Sequence, residues 1–166
     1  MLTLVIGPPD SGKSRFAEDL AVKSGCGKRY YIATMKVMDE AGKNRIRKHR
    51  AQRLGKGFIT IEEPDDITAA VNDIDSPEDS VVLVECLANL VGNVMHKRGD
   101  VIPAVIRQIR KLESEVCEVI AVTSEYEPES ADDEETCLYK KLLDEVNITV
   151  SKTANIVYDM SHYIER

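Results

Sequence analysis

The chain has 166 residues, 43% hydrophobic and 31% charged, with a formal net charge of −7 at pH 7. This is enough chain to enclose a core within one domain, residues 1–166, and no apolar run is long enough to cross a membrane. Aromatic residues make up 5% and tryptophan is absent, which leaves little to stack on single-stranded nucleic acid, so neither nucleic acid nor membrane is an expected partner.

In chain order, residues 2–6 form an apolar run of strand length that ends at Gly7. The segment Gly7-Pro8-Pro9-Asp10-Ser11-Gly12-Lys13-Ser14 follows and fits the phosphate-loop pattern G-x-x-x-x-G-K-[ST]. Residues 15–21 then read as a helix with Phe16, Ala17, Leu20 and Ala21 on one face. Strand, glycine loop and helix is the order phosphate binding requires. Glycines let the backbone wrap an anion, and a helix N-terminus offers unpaired N–H groups. Lys13 is the candidate to reach the outer phosphates, and the Ser14 hydroxyl to ligate a magnesium ion. Pro8 and Pro9 have no N–H, so the cradle must use the amides from Asp10 to Ser14.

Further along, residues 29–33 read as a strand, 39–54 as a helix, and 58–61 as a third strand closed by Pro64. A short helix is expected at 67–74 and a buried strand at 81–84, ending in Glu85. Residues 87–97 and 101–115 read as helices split by Gly99. A strand at 116–123, an acidic loop, a helix at 137–153 and a strand at 155–159 complete the chain. Alternation of strand and helix predicts an α/β fold, with a mostly parallel sheet flanked by helices in the manner of phosphate-loop, RecA-like NTPases.

Charge is segregated along the chain. Residues 125–135 hold seven acids and no base, and are expected to form an exposed, mobile loop. Residues 42–58 hold seven bases and no acid, a block suited to anionic ligands. The four cysteines, Cys26, Cys86, Cys117 and Cys137, lack C-x-x-C spacing and suit reduced thiols in a cytoplasmic protein. Met1 leads directly into a strand, so no signal peptide is expected.

Two constellations carry chemistry. The strand at 81–84 followed by Glu85 has the form of the second phosphate-loop signature, with a carboxylate expected to hold magnesium opposite Ser14. His49 has Arg45 and Arg53 four residues to either side, with Arg50 adjacent. Guanidiniums beside an imidazole oppose its protonation and supply fork donors for phosphate. Such a histidine can attack the α-phosphorus of a nucleoside triphosphate. His96 and His162 have no comparable setting and read as structural or surface residues. The residues alone also admit a small-molecule kinase whose basic helix only binds phosphates, or a non-catalytic nucleotide-binding protein.

The sequence resembles the bifunctional adenosylcobinamide kinase / adenosylcobinamide-phosphate guanylyltransferase family over nearly its whole length. The likeness rests on Lys13-Ser14-Arg15, Tyr31-Ile32-Ala33-Thr34, Asp39-Glu40 and Arg45-Ile46-Arg47-Lys48-His49-Arg50. It continues through Thr60-Ile61-Glu62-Glu63-Pro64, Val84-Glu85-Cys86-Leu87, Asn93, Val122-Thr123, Glu125 and Val146-Asn147. The resemblance implies that His49 takes up GMP from GTP. It implies nucleotide contacts at the glycine loop, at Thr34, Met35 and Lys36, at Arg50, Ala51, Gln52 and Arg53, and at Glu62 and Glu85. Magnesium, GTP or ATP, a corrinoid acceptor and a trimeric assembly are implied in the same way. The sequence departs from the family pattern at Asp10, in the segment from Ser124 to Ser130, and at Lys140-Lys141.

Overall fold

The computed structural model describes residues 1–97 and 99–161, so the expectation for His162 falls outside the described residues. In chain order the elements are β1 (Leu2–Gly7), α1 (Lys13–Lys23), β2 (Lys28–Ala33), α2 (Glu40–Arg53) and β3 (Phe58–Glu62). Two 3-10 turns, Ile67–Asp73 and Pro77–Asp79, lead into β4 (Ser80–Val84). Then come α3 (Leu87–Met95), α4 (Val101–Glu115), β5 (Glu118–Ser124), α5 (Glu134–Thr153) and β6 (Ile156–Asp159).

The six strands form one sheet in the order β3-β2-β4-β5-β1-β6, and every pairing is parallel. Parallel strands need crossovers over the faces, so the inner strands are buried on both sides. β1, β4 and β5 show this: Leu4, Val5, Val82, Leu83, Ile120 and Ala121 are all buried. The pleat sends alternate residues to opposite faces. Leu2, Leu4, Tyr30, Ile32, Val82, Val84, Val119 and Ala121 pack with α3, α4, α5 and the Ile67–Asp73 turn. Val5, Tyr31, Val81, Leu83, Ile120 and Val122 pack with Ala17 and Ala21 of α1, flanked by Phe16 and Leu20.

Two local expectations are corrected. The segment 67–73 is 3-10 rather than α-helical. Ile67 and Ala70, three residues apart, both bury, which suits a three-residue turn better than a 3.6-residue one. The last helix begins at Glu134, inside the acidic run. Asp133 caps it by accepting from Thr136 N at 2.7 Å, and Glu134 and Glu135 in the first turn complement the helix dipole. Residues 125–131 and Asp133 are exposed as expected, but Asp132 is half-buried against a counter-ion. Lys140 Nζ lies 2.8 Å from Asp132 Oδ2 and donates to Glu127 O at 2.8 Å.

α2 differs from the other helices. Its only buried residue is Arg53, and polar contacts hold it to the sheet. No helix among the described residues is long and apolar enough to cross a membrane.

Candidate nucleotide site

The carboxyl ends of β1, β2 and β4 open toward α1 and α2, the position where open α/β sheets place their ligands. After β1 the chain turns sharply. A Cβ at Gly7 would lie 2.9 Å from both Met160 Cβ and Ser11 Oγ, so the position requires glycine. Asp10 and Gly12 both have positive φ, 58° and 78°, the backbone pattern from which anion-binding nests are made. Gly12 caps α1 without a side-chain bond, which leaves the first-turn N–H groups available to an anion. Lys13 is buried, and its Nζ donates to Pro8 O at 3.0 Å. Burial pushes its pKa below the ordinary 10.5; Cys86 and Asp10 oppose this and Arg45 adds to it. Ser11 Oγ is buried without a hydrogen-bond partner among the described residues.

Two cavities lie on either side of α2. The larger, about 750 Å³, runs between the glycine loop and the helix and is lined by Pro9 through Arg15 and by Asn44, Arg45, Lys48, His49 and Gln52. The smaller, about 400 Å³, is lined by Tyr31, Ala33, Met35, Lys36, Val37, Ile46, Pro64 and Thr60, with Lys43, Arg47, Arg50, Arg53, Glu62 and Glu85. His49 lines both. Residues four apart on a helix are offset by about 40°. Arg45 therefore turns toward the loop cavity and Arg53 toward the smaller one, with His49 between them.

Glu85 follows β4 and is 7% exposed. Its Oε2 accepts from Thr34 N at 2.8 Å and Met35 N at 3.3 Å. Its Oε1 lies 3.6 Å from His49 Nδ1. Burial pushes this carboxyl up, but His49 and the Thr34 and Met35 amides more than offset it, leaving the pKa below its ordinary value. The Thr34 turn is itself tied down. Thr34 Oγ1 donates to Cys86 O at 3.0 Å, and Asn93 Nδ2 donates to Thr34 O at 2.8 Å and to Pro64 O at 2.7 Å.

The remaining sequence-derived site residues divide by place. Arg53 stacks its guanidinium 3.5 Å over the Tyr31 ring and donates to Thr60 Oγ1 at 3.3 Å. Arg50 donates to Glu62 Oε1 at 3.2 Å on the rim of the smaller cavity. Lys36 pairs with Asp65 at 2.7 Å. Gln52 faces the loop cavity and donates to buried Glu18 Oε2 at 2.6 Å. Thr34 is fully buried and lines neither cavity, and Ala51 is exposed away from both. Gly7 and Pro8 line neither cavity. Asn44, Lys48 and Arg15, not among the expected nucleotide contacts, do line the loop cavity. The spacing of Asn44, Lys48 and Gln52, each four apart, was the available signal.

Ser14 and Glu85, the residues expected to hold a metal between them, line adjoining cavities that share His49. Ser14 lines the loop cavity and Glu85 the other, with both Glu85 oxygens facing donors already described. No group of three or more His, Cys, Asp or Glu that could hold a metal occurs among the described residues. Magnesium keeps most of its waters and borrows phosphate oxygens, so it needs no such group of protein ligands.

Comparison with known proteins bears on the fold and on the family. The flagellar accessory protein FlaH from Methanocaldococcus jannaschii superposes with a TM-score of 0.51 at 13% identity, over 95% of this chain and 70% of FlaH. At that identity the likeness speaks for the fold alone, a six-stranded parallel sheet with flanking helices of the phosphate-loop, RecA-like kind. The RadB recombinase gives 0.46 at 19% identity over 86% of this chain and 70% of RadB, too low to add to that. The bifunctional adenosylcobalamin biosynthesis protein CobP of Pseudomonas aeruginosa is 37% identical over 95 residues. That alignment spans 57% of this chain and about half, 53%, of CobP. The profile described as cobinamide kinase / cobinamide phosphate guanyltransferase matches residues 3–164, from β1 past β6 and across both cavities, and the chain belongs to that family.

Proposed function

We propose that the chain is a bifunctional transferase. It phosphorylates the hydroxyl of adenosylcobinamide with ATP or GTP, then transfers GMP from GTP to the new phosphate through a guanylyl-His49 intermediate. The observation that carries this reading is the position of His49, which forms a wall of both the triphosphate-sized loop cavity and the smaller apolar cavity. A nucleotide held with its phosphates against Lys13 and its base beyond α2 would bring its α-phosphorus past that imidazole.

In the first reaction the acceptor hydroxyl oxygen attacks the γ-phosphorus, the bond to the β-phosphate oxygen breaks, the nucleoside diphosphate departs with the bonding electrons, and the hydroxyl proton is released to water. Lys13, the loop amides and Arg45 meet the charge that builds on the phosphoryl oxygens. Magnesium bound at Ser14 would neutralise phosphate charge. In the second reaction the His49 Nε2 lone pair attacks the α-phosphorus and pyrophosphate departs with the bonding electrons. An oxygen of the acceptor phosphate then attacks the same phosphorus and returns the electrons to Nε2. Arg45 and Lys48 line the loop cavity, through which pyrophosphate would leave.

The test is incubation with α-labelled GTP and magnesium, followed by denaturation. Label is expected to stay on the protein, to be lost in acid and to survive alkali, as a phosphorus–nitrogen bond does. His49→Ala should abolish labelling and leave phosphoryl transfer to the acceptor hydroxyl intact. Label that persists in His49→Ala removes the assignment. No label on the wild type, despite tight GTP binding, favours a kinase alone.

A further inference from the structure

The charges around His49 are not only the arginines of its own helix. A buried carboxylate, delivered from β4, faces one specific ring nitrogen. Glu85 Oε1 lies 3.6 Å from Nδ1, while Oε2 is fixed by the amides of Thr34 and Met35. The contact is longer than a hydrogen bond by about 0.5 Å or more, as catalytic contacts often are before a ligand arrives. We propose that Glu85 is a positioning residue for His49, holding the proton on Nδ1 so that the Nε2 lone pair is free to attack phosphorus. The inference rests on the guanylyl-transfer reading above and names how that site is set.

Three observations converge on it. First, Glu85 cannot easily turn away. It is buried, its backbone N–H donates to Ile32 O at 3.0 Å, and the amides of Thr34 and Met35 pin one oxygen. Asn93 locks that turn from behind through Thr34 O and Pro64 O. Second, Glu85 and His49 line the same smaller cavity, and Oε1 is the carboxylate oxygen that faces the imidazole. Third, the sense of the contact suits the reaction. Once Nε2 bonds to phosphorus, the ring carries a positive charge with its remaining proton on Nδ1. A carboxylate on that proton offsets the charge while the bond to the leaving pyrophosphate breaks. When the acceptor takes the GMP, the electron pair returns to Nε2 and Nδ1 still holds its proton. No proton has to leave the site in either half-reaction.

The geometry makes Glu85→Gln a sharp test. Two amide N–H donors demand an oxygen on the Thr34 side. The glutamine oxygen must take that place, so its NH₂ points at His49 Nδ1. An NH₂ there forces Nδ1 to accept and moves the ring proton to Nε2, which blocks the nucleophile without changing side-chain volume. Two-bond ¹H–¹⁵N spectra of histidine-labelled protein, taken where the ring is neutral and assigned with His49→Ala, read the tautomer directly. The wild type is expected to carry the proton on Nδ1 and Glu85→Gln on Nε2. Labelling by α-labelled GTP, measured at saturating GTP, should fall by about 100-fold or more in the variant. A wild-type ring protonated on Nε2 overturns the proposal without recourse to any variant. So does a Glu85→Gln protein that keeps both the wild-type tautomer and the wild-type labelling rate. If the wild type takes no label, the guanylyl-transfer reading fails, and the two tautomers alone decide the role of Glu85.

Discussion

Lys13 is a cation kept out of water whose direct partner among the described residues is a backbone carbonyl, Pro8 O at 3.0 Å. A triphosphate would replace that neutral acceptor with charged ones. Removing the ammonium in Lys13→Ala should weaken triphosphate binding by about 1.5–3 kcal/mol, the worth of a charged hydrogen bond. Calorimetry with GTP and magnesium measures it, and unchanged affinity would place the phosphates elsewhere. Lys13 and His49 could be picked out from the sequence because their meaning lies in near neighbours: a glycine loop of eight residues and arginines at helical spacing. Glu85 was found as an acid after a strand, but not its partner. That contact depends on where α2 lies over the β2–β4 pair, which no local pattern records. Arg53 over Tyr31 was hidden for the same reason.

At the scale of elements, the acidic run shows how a charge pattern can mislead. Seven like charges suggest a solvated loop, yet the last of them start α5, where a helix N-terminus welcomes acids. Lys140, nearly two turns into that helix, reaches back to Asp132 and to Glu127 O. The bond from Lys140 holds the Asp132 carboxyl below its ordinary 3.8, and the same bond raises the Lys140 ammonium above its ordinary 10.5. A depressed acid contributes fully above its unfolded value and loses that contribution as pH falls through the folded one. A raised lysine contributes fully below its unfolded value and loses it as pH rises through the folded one. The clamp therefore holds across the neutral range and releases only in acid below 3.8 or in alkali above 10.5. Lys140→Ala should make the segment between β5 and α5 the first site of limited proteolysis at pH 7, with faster cutting than in the wild type. Equal cutting rates would mean that the clamp does not restrain the loop. The strands were easier to foresee, because a run such as Val81-Val82-Leu83-Val84 can bury both faces in a parallel sheet and in little else.

Across the whole molecule the order of the strands was the part the sequence left open. Alternating strands and helices require a parallel sheet, but not that β5 should lie between β1 and β4. That order separates the glycine loop from Glu85 by a full strand and helps to put Ser14 and Glu85 in different cavities. The apolar core is also unevenly shared. α3, α4 and α5 cover one face and α1 the other, while α2, the carrier of His49, contributes no residue to either cluster. Free energy for local opening follows buried apolar contact, so α2 should belong to the least protected part of the fold. Amide hydrogen exchange should show α2 exchanging well before β4, β5 and α4 in the free protein. Adding GTP and magnesium should slow exchange in α2 more than in any other helix, because the ligand supplies contacts on both of its sides. Protection of α2 equal to that of α4 without ligand would contradict this. The helix that carries the chemistry is then the one whose order is completed by the substrate. Part of the affinity for nucleotide is consumed in ordering it, so the measured binding entropy should be more unfavourable than contact with a preformed cleft would give.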